Sequence, residues 1–261
     1  GTLEDTLRRL QDKVREKELW IDLKCRQLRV KTYGVPPFTE IELTHRISVE
    51  TPVTAYFADG KEHATVLEVD GNRLIMQEGP KRVIGPGESV NIPHPSLTIE
   101  GYFTETDEKY IAAAKEVGLH QYMLSFVESA NDVALLKELD PQAEILAKIE
   151  SLKGVQYVRK EWNKEARLMT ARGDLYVEVR KPHDILAITE MMVKKDPTAV
   201  VASRIFPSFS QSYEPSCQDI GDVDNLLRMG YKTLMLGDDV CMKRDSVMSA
   251  LNLLKEMGER Y

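Results

Sequence analysis

Three residues, Lys148, Glu150 and Asp174, have types and spacing suited to holding an anion and a divalent cation together. Lys148 and Glu150 are two apart, so in an extended strand their side chains leave the same face. The apolar run Glu144–Ala147 leads into them, and Arg167–Thr170 leads into Ala171-Arg172-Gly173-Asp174-Leu175. Between these runs, the polar segment 151–165 places Val155 and Val158 on one side of a helix. Strand, short crossover and strand make a right-handed parallel unit, which sets Asp174 beside the first pair. Mg²⁺ takes one or two protein carboxylates and leaves positions for substrate oxygens. The competing reading is that these charges cap solvent-facing loops at strand ends.

The elements that must position these groups follow a repeated pattern. Capping pairs Thr2/Asp5, Thr104/Asp107 and Ser129/Asp132 open helices, and glycines such as Gly118 and Gly230 close them. The first helix is expected over Thr2–Leu19 and the last over Asp245–Met257. Short apolar strands are expected at Trp20–Leu23, Tyr122–Val127, Thr198–Ala202 and Thr233–Leu236, besides the two above. Six strand-then-helix units imply a parallel sheet. Polar groups recur after the strands, at Lys24, Ser125, Glu150, Asp174, Ser203 and Asp239, as in a barrel with its site at the carboxyl face. From about Val30 to Val90 the pattern changes to β-rich runs broken by Asp59-Gly60, Asp70-Gly71-Asn72, Gly79-Pro80 and Gly85-Pro86-Gly87, the mark of a small all-β insert. His45 and His63 lack ligand spacing and are expected at its surface. Met191, Met192 and Met248 are expected to fill core space.

Composition narrows the classes. The chain has 261 residues, is 42% hydrophobic and 30% charged, and carries a net charge of −7. An acidic chain of this kind gives no nucleic-acid surface. No apolar run reaches the roughly 20 residues that span a membrane. Cys25, Cys217 and Cys241 are far apart and read as free thiols of a reducing compartment.

In order along the chain, these motifs resemble those of the pyruvate kinase family. Ile21-Asp22-Leu23-Lys24 is similar to its DLKGP segment, Leu28-Arg29 to the IR that follows, and Val90-Asn91-Ile92-Pro93 to VNLP. Phe103–Asp107, Leu124–Ala130, Ala147–Glu150, Ala171–Leu175, Val201–Ser203, Pro215–Asn225 and Met235-Leu236 resemble later family motifs in the same order. The resemblance implies an α/β fold, a (β/α)8 TIM-type barrel incomplete at the N-terminus, with a small inserted all-β lid. Residues 1–29 and 91–261 would form the barrel domain and 30–90 the lid.

The resemblance further implies phosphoryl transfer between phosphoenolpyruvate and ADP, with Mg²⁺ or Mn²⁺ and K⁺. On the matching positions, Glu150 and Asp174 would hold the divalent ion and Asp22 the K⁺. Lys148 would stabilise the transferring phosphoryl group, and Arg29, Gly173, Asp174 and Ser203 would bind substrate. A cytoplasmic homo-oligomer acting on a small molecule, with no nucleic acid or membrane partner, is the corresponding expectation.

Several positions depart from the family. Its first two strands and its carboxyl-terminal domain have no counterpart. Glu88 stands where the family has a lysine facing the nucleotide phosphates, a charge reversal. Cys25-Arg26 replaces Gly-Pro, Gly237-Asp238-Asp239 replaces Ser-Gly-Glu, and Cys217 replaces an arginine. Gly1 falls where the family's second helix would be, so residues preceding it are expected to complete the barrel, ahead of a partner chain or a different closure. Three functions therefore compete: a pyruvate-kinase-like phosphotransferase, a metal-dependent 2-oxo-acid lyase or decarboxylase without ATP, and a non-catalytic homologue.

Overall fold

The computed structural model describes residues 1–58 and 60–261. Reciprocal caps start the first two helices. Thr2 Oγ accepts the Asp5 amide at 3.2 Å and Asp5 returns to the Thr2 amide at 3.0 Å, opening α1 (Leu3–Val14). Strand β1 (Ile21–Leu23) follows, and then the β-rich insert: β2 (Glu40–Glu42), β3 (Ile47–Ser48), β4 (Val53–Phe57), β5 (Glu62–Asp70), β6 (Arg73–Met76), β7 (Val90–Asn91) and β8 (Thr98–Ile99). Thr104 and Asp107 cap α2 (Glu105–Glu116) in the same reciprocal way. The remainder alternates: β9 (Gln121–Leu124), α3 (Ala130–Leu139), β10 (Glu144–Ile149), α4 (Leu152–Lys160), β11 (Arg167–Ala171), α5 (Arg172–Glu178), α6 (Asp184–Lys195), β12 (Val200–Ala202), α7 (Cys217–Met229), β13 (Thr233–Met235), α8 (Asp238–Cys241) and α9 (Arg244–Gly258).

Six strands form one parallel sheet in the order β1-β9-β10-β11-β12-β13. The two faces bury different residues, as a period of two requires. Ile145, Ala147 and Ile149 of β10 join the large core beneath the helices. Leu146, Met169, Ala171, Val200 and Ala202 form a second, inner cluster with Trp20, Met123 and Met235 against it. That inner face is the wall of an incomplete barrel. Among the described residues, no strand pairs the outer edges of β1 and β13.

The insert is antiparallel, in the order β2-β6-β5-β4-β7, around its own core of Val30, Ile41, Leu43, Phe57, Leu74 and Ile84. Its exit is tied down twice, by Tyr56 opposite Asn91 and by Ile47 opposite Ile99. Beyond the expected end of the insert at Val90, the chain therefore still pairs with insert strands as far as Ile99.

The structure corrects several local expectations. Helix α1 stops at Val14, where Arg15 takes φ 53°. Helix α5 begins directly after β11, so Gly173 and Asp174 sit in a first helical turn rather than at a strand end. His45 is buried, not superficial, and its Nδ1 lies 3.0 Å from Thr44 Oγ. Met192 is buried, but Met191 is only half-buried and Met248 is exposed, because only one side of their helices meets the core. The turn expected at Asp59-Gly60 includes Asp59, which lies outside the described residues.

Gly154 in α4 has no room for a side chain. A Cβ there would sit 2.6 Å from the Val127 carbonyl oxygen and 3.2 Å from Ile149. Gly154→Ala should therefore cost about 1–3 kcal/mol by forcing α4 off the sheet, although alanine is the better helix former. A thermal melt that leaves the midpoint unchanged would contradict this packing.

Candidate active site

Lys148 occupies the carboxyl end of β10 on the inner face, two residues beyond Leu146. Its ammonium donates to Asp22 Oδ1 at 2.8 Å and to Ser125 Oγ at 2.9 Å, and lies 3.5 Å from Glu150 Oε1. Three neighbouring strand ends therefore converge on one buried nitrogen. Burial alone would lower its pKa, but Glu150 and Asp22 outweigh that and hold Lys148 above the usual lysine range.

Glu150 follows β10 and accepts the Phe126 amide on Oε2 at 2.8 Å. Burial pushes its carboxyl up to about 7; Lys148 opposes the shift and Asp174 adds to it. Asp174 accepts Gln27 Nε2 at 3.2 Å on Oδ2 and Asn91 Nδ2 at 3.0 Å on Oδ1. Gln27 and Asn91 lie where the chain enters and leaves the insert, so Asp174 ties barrel and insert together. Arg29 reaches this group indirectly. Its guanidinium donates to Gln27 Oε1 at 2.6 and 3.0 Å and to the Gly87 carbonyl. Gly173 faces Ser203, since a Cβ on it would lie 3.3 Å from Ser203 Oγ.

Left-handed residues follow three of the strands: Cys25 at φ 47°, Phe126 at φ 50° and Ser203 at φ 66°. Such backbone is costly away from glycine and is kept where surrounding bonds dictate it. The Cys25 loop is dictated by Asp107, which accepts the amides of Lys24 and Cys25 at 2.8 and 3.0 Å.

Charge at the mouth does not balance. Asp22, Glu150 and Asp174 surround one buried ammonium, with Lys24 on the exposed side of Asp22 at 2.7 Å. Burial is the main cause of the raised Glu150 carboxyl, and the like charge of Asp174 adds to it against the pull of Lys148. Glu150 and Asp174 therefore fit a divalent cation. Among the described residues, no group of three or more His, Cys, Asp or Glu could enclose a metal alone, so substrate or water oxygens would complete its shell. Asp22 fits K⁺ poorly, because each of its oxygens already accepts from an ammonium. Glu88 is not a bare anion either: Arg82 pairs with both of its oxygens.

Sequence reasoning did not single out Gln27 or Asn91, and treated Ser125 only as one polar residue after a strand. Their partners lie 147, 83 and 23 residues away. The one signal was their place beside the Leu28-Arg29 motif, for Gln27, and inside the motifs Val90–Pro93 and Leu124–Ala130, for Asn91 and Ser125.

An open parallel barrel carrying a lysine and carboxylates at its carboxyl mouth, under an antiparallel insert, defines the class. Residues 38–243 match the family model described as "Pyruvate kinase, barrel domain". The chain belongs to the pyruvate kinase family. It is 26% identical over 189 residues to the pyruvate kinase of Borreliella burgdorferi, covering 69% of this chain and 39% of that one. It is 26% identical over 260 residues to the pyruvate kinase of Methanocaldococcus jannaschii, covering 95% and 57%. The chain thus spans about half the length of these relatives. A crystal structure of a pyruvate kinase from Cryptosporidium parvum aligns over 100% of this chain and 62% of its own, with TM-score 0.78 and 20% identity, a likeness of fold. Among the described residues, no helix is long and apolar enough to cross a membrane.

Proposed function

We propose that the barrel mouth binds phosphoenolpyruvate, pyruvate or a related 2-oxo acid with a divalent ion, and transfers a phosphoryl group to or from ADP. The observation that carries this reading is the buried Lys148 ammonium beside the Glu150 and Asp174 carboxylates. Phosphoryl transfer asks little covalent work of a protein; it asks for alignment and charge neutralisation. Mg²⁺ or Mn²⁺, held by Glu150 and Asp174, would supply Lewis acidity toward the carboxylate and enol oxygens of the substrate.

The chain's own groups divide the remaining work. Asp22 and Ser125 fix Lys148 Nζ, which meets the negative charge that grows on the transferring phosphoryl oxygens. Main-chain amides at Gly173 and Asp174 receive the substrate carboxylate, and the Ser203 hydroxyl orients it. Gln27 and Asn91 aim Asp174. Arg29, steadied by Gln27 and Gly87, provides a cation on the insert side. The Arg82 partner of Glu88 removes much of the repulsion that residue would exert on a nucleotide phosphate. K⁺ forms no part of the proposal, given the two ammonium groups on Asp22.

The assay has two arms: phosphoryl transfer from phosphoenolpyruvate to ADP, and proton exchange at the pyruvate methyl group with Mn²⁺ alone. Transfer together with exchange supports the proposal. Exchange without transfer favours the lyase-like alternative, and neither activity would overturn both.

The pH dependence has a definite sign. The usual Glu carboxyl titrates near 4.5, and Glu150 is raised to about 7. Below pH 7 the ion must displace a proton, so Mn²⁺ affinity should fall about tenfold per pH unit and level off above it. A flat profile between pH 5.5 and 8.5 would exclude Glu150 as a ligand.

A further inference from the structure

The turn between β9 and α3 grips Glu150 from two sides. Phe126 stands in the left-handed region, which costs a bulky residue and which surrounding bonds must impose. There its amide donates to Glu150 Oε2 at 2.8 Å. Two residues on, Glu128 accepts from Ser151 Oγ at 2.5 Å, and Ser151 follows Glu150 directly. The Ser151 hydroxyl in turn accepts the Gly154 amide at 3.1 Å, so this second grip runs into the first turn of α4. The same turn carries Ser125, whose hydroxyl accepts from Lys148 at 2.9 Å.

One half-buried guanidinium, that of Arg26 in the loop after β1, gathers this turn. Its Nη1 donates to the Phe126 carbonyl at 3.3 Å and lies 3.6 Å from Glu128. Its two terminal nitrogens donate to Asp132 at 2.8 and 2.7 Å as a fork. Asp132 is 1% exposed and accepts the amides of Glu128 and Ser129 at 2.8 and 3.1 Å. The guanidinium also lies over the Tyr102 ring, 4.7 Å from its centre. The Tyr102 hydroxyl donates to the carbonyl of Ser125, the residue before Phe126. Every one of these contacts falls on the single stretch 125–132 or on a side chain bonded to it. Arg26 stands where the family has proline, which could make none of the hydrogen bonds.

We infer that Arg26 is a positioning residue for the barrel mouth. Acting through Phe126 and Glu128, it sets the 125–132 turn so that Glu150 is held in place to receive the cation. The inference rests on the proposed divalent ion. A planar fork suits the task, because it fixes a direction as well as a charge. Without Arg26, the Phe126 carbonyl and the Asp132 carboxylate lose their shared donor, the left-handed turn relaxes, and the Phe126 amide leaves Glu150.

Two readouts test it: amide hydrogen exchange at Phe126 in the metal-free protein, and Mn²⁺ affinity at pH 8.5. Arg26→Met should speed exchange at Phe126 about tenfold or more and weaken Mn²⁺ about tenfold. Arg26→Lys keeps the charge but loses the fork, and should show both changes to a smaller degree. Arg26→Met combined with Asp132→Asn removes the buried carboxylate left without a cation. That double variant should recover most of the melting temperature lost by Arg26→Met and none of the Mn²⁺ affinity. Wild-type affinity in Arg26→Met, unchanged exchange at Phe126, or affinity that returns with the melting temperature would each overturn the inference. Where Arg26→Met fails to fold, Arg26→Lys carries both readouts, and wild-type behaviour in it overturns the inference. If wild type itself binds no Mn²⁺, the metal reading fails on its own. Exchange at Phe126 then decides alone whether Arg26 holds the anchor of Glu150.

Discussion

Lys148→Met is expected to slow phosphoryl transfer by about 10²–10³-fold while Mn²⁺ still binds. A buried donor aimed at developing negative charge is worth roughly that factor when removed. The ion's own ligands, Glu150 and Asp174, are untouched by the change. Taking away the ammonium also removes a cation 3.5 Å from Glu150 and so a source of repulsion for the metal. Methionine fills much of the lysine volume, which limits the packing cost. The two readouts separate roles: turnover measured with saturating Mn²⁺, and Mn²⁺ binding measured directly at pH 8.5. Loss of both together would mean that Lys148 holds the mouth in shape rather than acting on substrate.

Asp107→Ala should lower the melting temperature by about 10 °C. This buried carboxylate accepts four donors: the amides of Lys24, Cys25 and Thr104 and the Thr104 hydroxyl, at 2.8, 3.0, 2.9 and 2.7 Å. It caps α2 and pins the left-handed Cys25 turn that follows β1. Each orphaned donor costs about 1 kcal/mol or more, so the sum is about 4 kcal/mol. For a chain of this size, one kcal/mol shifts the midpoint by about 2–4 °C. Asp107→Asn keeps an acceptor for part of the set and should lose about half as much. Equal midpoints for wild type and Asp107→Ala would show that the Cys25 turn is held by other contacts.

Local signals told most of the fold. The Thr2/Asp5 and Thr104/Asp107 caps are visible in the sequence because both partners lie three residues apart. The parallel pairing of β10 with β11 was legible because a short amphipathic crossover leaves one right-handed choice. The convergence of Lys148 on Glu150 followed from strand alternation alone. Contacts between distant segments were not legible. Asp174 is aimed by Gln27 and Asn91, and nothing local to Gln27 separates it from an exposed glutamine. His45 is buried because the bend between β2 and β3 turns it inward. Helix α5 was hidden because Ala171–Leu175 reads equally well as the end of a strand, and only the bend after Ala171 turns Asp174 toward the insert. Glu88 read as a lone reversed charge because Arg82, six residues away across a turn, is invisible as its partner until the loop is folded.

The central claim is that Glu150 and Asp174 share one divalent ion beneath the insert. Titrating Mn²⁺ into wild type, Glu150→Gln and Asp174→Asn, with and without oxalate as a mimic of enolpyruvate, tests it most directly. The account predicts one bound ion for wild type, tightened by oxalate, and loss of at least about tenfold in affinity for either variant. An ion that binds all three proteins alike, or none of them, would contradict it.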